Sequence, residues 1–240
     1  MEKIKELLKD KKKRYLITIV CVLPFIIAIA IFGILVLKDI KSLKGLATNN
    51  QPTETEKKYY IESLDYLVRD NATNYQAELF QELRDIVTDK SASDADIAAV
   101  VVKNYVADFY TWTNKAGQYD VGGMYFVSSY YDDEIYIQAR DGMYKHINEY
   151  INKYGSKELL EVDHVEAVGK PLDGYTVNGE VEDEAYEVNA SWSYVQGKKF
   201  DTSKFATKMN FVVIVANGHL EIVEATSEPI STLLESLKED

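Results

Sequence analysis

Residues 15–37 contain no charged side chain, follow the basic run Lys11-Lys12-Lys13-Arg14 and stop at Lys38, the pattern of one membrane-spanning helix. A helix of these 23 residues is about 34 Å long, against a hydrocarbon core of about 30 Å. Sixteen of them are Leu, Ile, Val or Phe, which together favour insertion by on the order of 5 to 10 kcal/mol. Pro24 and Gly33 are tolerated in such a helix, where neighbouring groups re-satisfy the backbone. A cleaved secretory signal shares the basic start and the apolar run. This run, however, is about twice the usual length of a signal core. The small-residue site Gly45-Leu46-Ala47 also lies beyond Lys38, Lys41 and Lys44. Seven Lys and Arg residues precede the span within residues 1–14 and three follow it within residues 38–44. The expected orientation therefore puts the N-terminus in the cytoplasm and the remainder outside the cell membrane.

Charge then limits what the external part can bind. Beyond Lys44 the chain has 17 basic and 35 acidic residues, a formal charge of −18. A phosphate backbone repels such a domain, so direct nucleic-acid binding is not expected. The acidity serves solubility or, as the functional alternative, complements a basic partner surface. No cysteine occurs in this part, which removes disulfides, thiolate chemistry and Cys/His zinc sites from consideration there.

Periodicity divides the external part in two. Residues 48–55 read as a polar linker with Pro52, and residues 56–90 lack Gly and Pro. Tyr60, Leu64 and Leu67, then Tyr75, Leu79, Leu83 and Ile86, recur at helical spacing. They predict two helices or one helix kinked at the polar 70–74 stretch. Ser93 with Asp94 and Asp96 predicts an N-cap and acidic first turn. The helix that follows carries Ile97, Val101, Tyr105 and Phe109, with Trp112 continuing the stripe. Gly117, Gly122 and Gly123 mark a loop. Asp132 or Asp133 is expected to cap a third helix, with Ile135, Ala139, Met143, Ile147 and Tyr150 buried and Gly155 as its stop.

After Gly155 the period changes to two. Residues 159–168 predict a less regular strand. Tyr175, Val177 and Val181, and then Tyr186, Val188, Ala190, Trp192 and Tyr194, alternate with polar residues as strands with one buried face. Asn217-Gly218 predicts a two-residue hairpin turn that pairs Val215 with Leu220 and Val213 with Ile222. The expected architecture is α+β, with helices packed on a curved antiparallel sheet of about four strands. The expected divisions are a cytoplasmic tail (1–14), transmembrane helix (15–37), linker (38–55), helical membrane-proximal extension (56–90), α+β domain (91–230) and C-terminal tail (231–240).

Catalytic signatures are missing from this pattern. His146, His164 and His219 have no metal-binding spacing, and no phosphate-binding glycine loop or nucleophile elbow occurs. No metal or cofactor is expected. The acidic runs 132–134 and 180–184 read as a helix start and a solvated loop. Ten aromatic residues lie between positions 105 and 136. Some must be core, while Tyr130-Tyr131 in the expected loop is a candidate partner-contact patch, because tyrosine buries area yet retains a polar tip.

The stretch from Asn104 to Trp112 (Asn-Tyr-Val-Ala-Asp-Phe-Tyr-Thr-Trp), with Tyr119-Asp120, Val127-Ser128-Ser129-Tyr130 and the closing pair around Asn217-Gly218, resembles the VirB-type single-span assembly components of bacterial type IV secretion and conjugation machines, the eighth component in the usual naming. The resemblance covers residues 95–226 and the anchor. It implies an external domain of the nuclear transport factor 2-like fold and a non-enzymatic scaffold role. Its implied partners are other channel subunits, further copies of the chain, and membrane lipid through the N-terminal helix. The Lys-, Ile- and Tyr-rich composition looks like that of a low-GC Gram-positive conjugative element. The same fold often has a pocket between helices and sheet, and in its catalytic versions an Asp or Tyr does acid-base work there. Asp108, Tyr110 and Tyr186 are the pocket candidates on that basis. The alternative reading is a membrane-anchored small-ligand-binding or sensor domain in cell-envelope signalling or sporulation.

Overall fold

The computed structural model of the protein describes residues 60–61, 64–177 and 179–230. The expected membrane helix at 15–37, the linker at 38–55, the start of the 56–90 segment and the tail at 231–240 lie outside them. Among the described residues, no helix is long and apolar enough to cross a membrane.

The 56–90 segment departs from the expected helical extension. Tyr60–Ile61 (β1) and Tyr66–Leu67 (β2) form a small antiparallel hairpin, turned at Asp65 with φ 55°. Tertiary anchoring overrides helical propensity here: Tyr66 is buried, and its hydroxyl donates to the Leu220 carbonyl at 2.7 Å and accepts from the Leu220 amide at 3.1 Å. A helix does begin at Asn74–Ile86 (α1), capped by Thr73, whose hydroxyl accepts from the Gln76 amide while the Gln76 side chain accepts from the Thr73 amide. Phe80 and Leu83 join the same core as Ile61, Tyr66 and Val68. Residues 60–61 and 64–90 are thus built into the domain rather than leading up to it.

Ser93 caps α2 (Asp94–Phe109) with the reciprocal Asp96 bond, as the sequence predicts. From Ala98 to Phe109 every residue but Lys103 is buried, because α1 covers one side of α2 and the sheet the other. The expected third helix is two: α3 (Asp132–Asp141) and α4 (Ile147–Tyr154). Tyr131, with no side-chain cap, precedes α3, and the three acids fill its first turn. The break follows Gly142, where the Tyr144 amide reaches back to the Ala139 carbonyl at 2.9 Å. That offset drops Tyr144 into the core, its hydroxyl donating to the Phe109 carbonyl at 2.6 Å. Gly155 ends α4, as expected.

β3 (Val162–Pro171) opens the sheet half. Thr176–Val177 (β4) and Glu180–Val181 (β5) pair only with each other, so the predicted Tyr175–Val181 strand is a separate hairpin. β6 (Ala185–Tyr194), β7 (Lys208–Ala216) and β8 (His219–Thr226) complete a curved, wholly antiparallel sheet in the order β3-β6-β7-β8. Asn217 and Gly218 both take positive φ, 53° and 85°, as a type I′ turn requires. Val215 duly faces Leu220 and Val213 faces Ile222. Trp192 is on the inward side, with its ring 4.5 Å from that of Tyr110.

The strands are not amphipathic throughout. Val212, Val213 and Ile214 are buried in succession, because the outer face carries a second cluster of Leu172, Val177, Ala185, Val212, Ile214, Val223 and Ile230. Close approach of α2 to β3 fixes one glycine: a methyl group on Gly169 would run into the carbonyl of Ala95.

Candidate functional site

Two features invite a functional reading, and they differ in kind. The first centres on Asp108, in the last turn of α2. Its Oδ1 accepts from Arg69 Nε at 2.8 Å and from Lys115 Nζ at 2.8 Å, and Oδ2 accepts from the Gly123 amide at 2.7 Å. Arg69 continues to Asp120 at 3.2 Å, and Lys115 also donates to Asn114 Oδ1 at 2.9 Å. The Lys115 side chain has no exposed surface. Burial alone would push the Asp108 carboxyl up, but the Lys115 and Arg69 charges hold it below the usual carboxylate range. Burial pushes the Lys115 ammonium down to about 8, against the opposing pull of Asp108. Both carboxylate oxygens of Asp108 are committed to tying the β2–α1 link and the 114–123 loop onto α2.

The other two pocket candidates point elsewhere. The Tyr110 hydroxyl donates to Met209 Sδ at 3.7 Å, and burial pushes it up to about 12. The Tyr186 hydroxyl donates to Asp94 Oδ2 at 3.3 Å; burial first, then the Asp94 charge, raises its pKa. Asp108, Tyr110 and Tyr186 share no hydrogen bond, so the structure does not assemble them into one acid-base site.

The second feature is a groove of about 420 Å³ between α3 and β8. Its floor is Tyr105 and Phe109 of α2, Ala139 and Met143, and Ile222 of β8; Glu134, Ile135 and Gln138 form one wall and Val223, Glu224 and Ala225 the other. Glu224 Oε2 accepts from the Tyr175 hydroxyl at 2.9 Å. A bulge between Val212 and Val213 of β7 and the facing strand turns β8 at this point. Before the groove, Ser128 donates to the Ile222 carbonyl at 2.8 Å and so braces the strand edge.

The two tyrosines differ in setting. Tyr130 is 61 % exposed, whereas Tyr131 is half-buried, lines the groove and packs on the outer cluster. The paired patch read from sequence is therefore one free ring and one wall residue. Tyr119 and Tyr125 are also exposed, on the loop before α3. Sequence reasoning missed Arg69 and Lys115, for which no local signal exists. It read Glu134 only as part of a helix start, although the acidic triplet could have drawn attention to that rim. No known protein family, curated protein or solved structure matches the chain.

Proposed function

We propose that this protein is a membrane-anchored, non-enzymatic assembly subunit of a conjugative type IV secretion channel, with an external domain of the nuclear transport factor 2-like type. The observation that carries the reading is the open groove between α3 and β8, lined by Tyr131, whose chain neighbour Tyr130 is exposed. An apolar concavity lined by one tyrosine and followed in the chain by an exposed one suits protein contact, since aromatic side chains supply much of the energy at such interfaces. Asp108 supports the non-enzymatic side, because its carboxylate is held by two cations and an amide. The groove volume of about 420 Å³ also falls within the range of small-molecule sites. It is the observation favouring the alternative of a ligand-binding or sensor domain.

The test is Tyr130→Ala in the full chain. The exposed ring contributes little to the core, so the thermal unfolding midpoint is expected to stay unchanged. Crosslinking to other channel subunits and transfer in a mating assay are expected to fall at least about tenfold, as for loss of an interface anchor. Undiminished crosslinking and transfer would remove the scaffold assignment from this surface. Orientation is tested separately. Protease added to intact spheroplasts is expected to digest the chain beyond residue 44 and spare residues 1–14, given seven Lys and Arg before the span and three after it. Protection of the C-terminal domain would reverse the topology.

A further inference from the structure

The groove's dimensions and charge narrow what it accepts. Its α3 wall runs from Glu134 to beyond Ala139, with Met143 at the far end. The nine steps from Glu134 to Met143 span at most about 14 Å at helical rise, the length of about four extended residues. Glu134 and Glu224 are the carboxylates of the lining, and no Lys, Arg or His is among the described lining residues. Exposed Asp132 and Asp133 extend the acidic rim at the Glu134 end. The sheet also ends here: β8 is the last strand, and Val127 bridges it only at Ile222.

We infer that the groove between α3 and β8 docks a short extended segment of a partner chain, in which apolar side chains lie beside a Lys or Arg. This rests on the assembly reading and gives it a chemistry. The apolar residues of the segment pack on Phe109, Ile135, Ala139 and Ile222, while its cation sits between Glu134 and Glu224. An acidic segment is repelled, and a wholly polar one leaves the floor wet. Nucleic acid fails on both counts.

The experiment uses the full chain in detergent micelles and a labelled heptapeptide with leucines at alternating positions and two terminal arginines. Fluorescence anisotropy reads binding, with empty micelles as background. Two companion peptides replace the arginines by glutamates or the leucines by serines. Binding of the arginine–leucine peptide is expected, and it should weaken as salt rises. Glu134→Gln with Glu224→Gln should weaken it at least about tenfold, as should either companion peptide. Glu78→Gln with Asp85→Asn removes the same charge from the exposed side of α1, which packs on α2 and β3, and should leave binding unchanged.

The inference is overturned if the arginine–leucine peptide fails to bind above background. It is overturned equally if the groove double variant binds as the parent does, or if the α1 variant loses as much affinity as the groove variant. Crosslinking of the groove variant to channel subunits separates the two levels. Retained capture without peptide binding discards the docking chemistry and keeps the assembly role. Loss of capture in Tyr130→Ala and in the groove variant together supports both.

Discussion

Replacing Trp112 by alanine is expected to cost about 3–5 kcal/mol of folding stability, as for other fully buried large-to-small changes. The residue stands just past α2 with no exposed surface, and its backbone amide donates to the Leu160 carbonyl at 2.7 Å. Its ring gathers four others: Phe205 edge-on at 5.2 Å, Tyr144 at 5.8 Å, Phe200 at 5.9 Å and Tyr150 at 6.2 Å. Those rings come from the α3–α4 break, from α4 and from the 200–205 loop, so one truncation loosens three segments. Among the described residues the buried indole Nε1 has no hydrogen-bond partner. Trp112→Phe therefore discards an unsatisfied donor along with volume and should cost clearly less than alanine. Urea denaturation followed by near-ultraviolet circular dichroism measures both. A loss under about 1 kcal/mol for alanine would mean that the cluster closes over the gap.

The elements legible in the sequence are those whose information is local. Ser93 and Asp96 are three residues apart and bond each other. Asn217-Gly218 sets the register of β7 on β8 because the turn geometry permits little else. Inward parity at Trp192 follows from simple alternation. What was not legible depends on distant partners. β1 and β2 read as helix because the bond that holds Tyr66 extended lies 154 positions away, at Leu220. The split between α3 and α4 depends on the core space that Tyr144 fills. Glu224 joins Glu134 only once β8 folds beside α3, and Asp108 meets Arg69 only once the 60–90 segment wraps back onto α2. Pairings of that range leave no trace in periodicity or composition.

Asp108→Asn tests the most heavily bonded of those long-range groups, and it should destabilise the chain by about 3–5 kcal/mol, the usual result of removing one partner from a buried ion pair. The amide oxygen still accepts hydrogen bonds, but the other carboxylate oxygen becomes an NH2 donor and Lys115, with no exposed side-chain surface, loses its negative partner. Arg69 keeps Asp120 at 3.2 Å and so is the less affected cation. Adding Lys115→Met to Asp108→Asn removes the stranded charge and should recover part of the loss, a non-additivity that a double-mutant cycle reads directly. The pH dependence has a fixed sign on each side. Asp108 is held below its usual value of 3.8, so its contribution is complete above that value and is lost as pH falls through the folded pKa. Lys115 releases its proton at about 8 when folded, against 10.5 unfolded. The unfolded chain thus binds more protons between those values, and the contribution of Lys115 to stability rises with pH across that window. Lys115→Met should abolish that alkaline rise. Function separates structure from chemistry: a folded Asp108→Asn protein should still assemble and support transfer. If it is folded and assembled yet inactive, the carboxylate acts chemically, and the scaffold reading gives way to an enzymatic one.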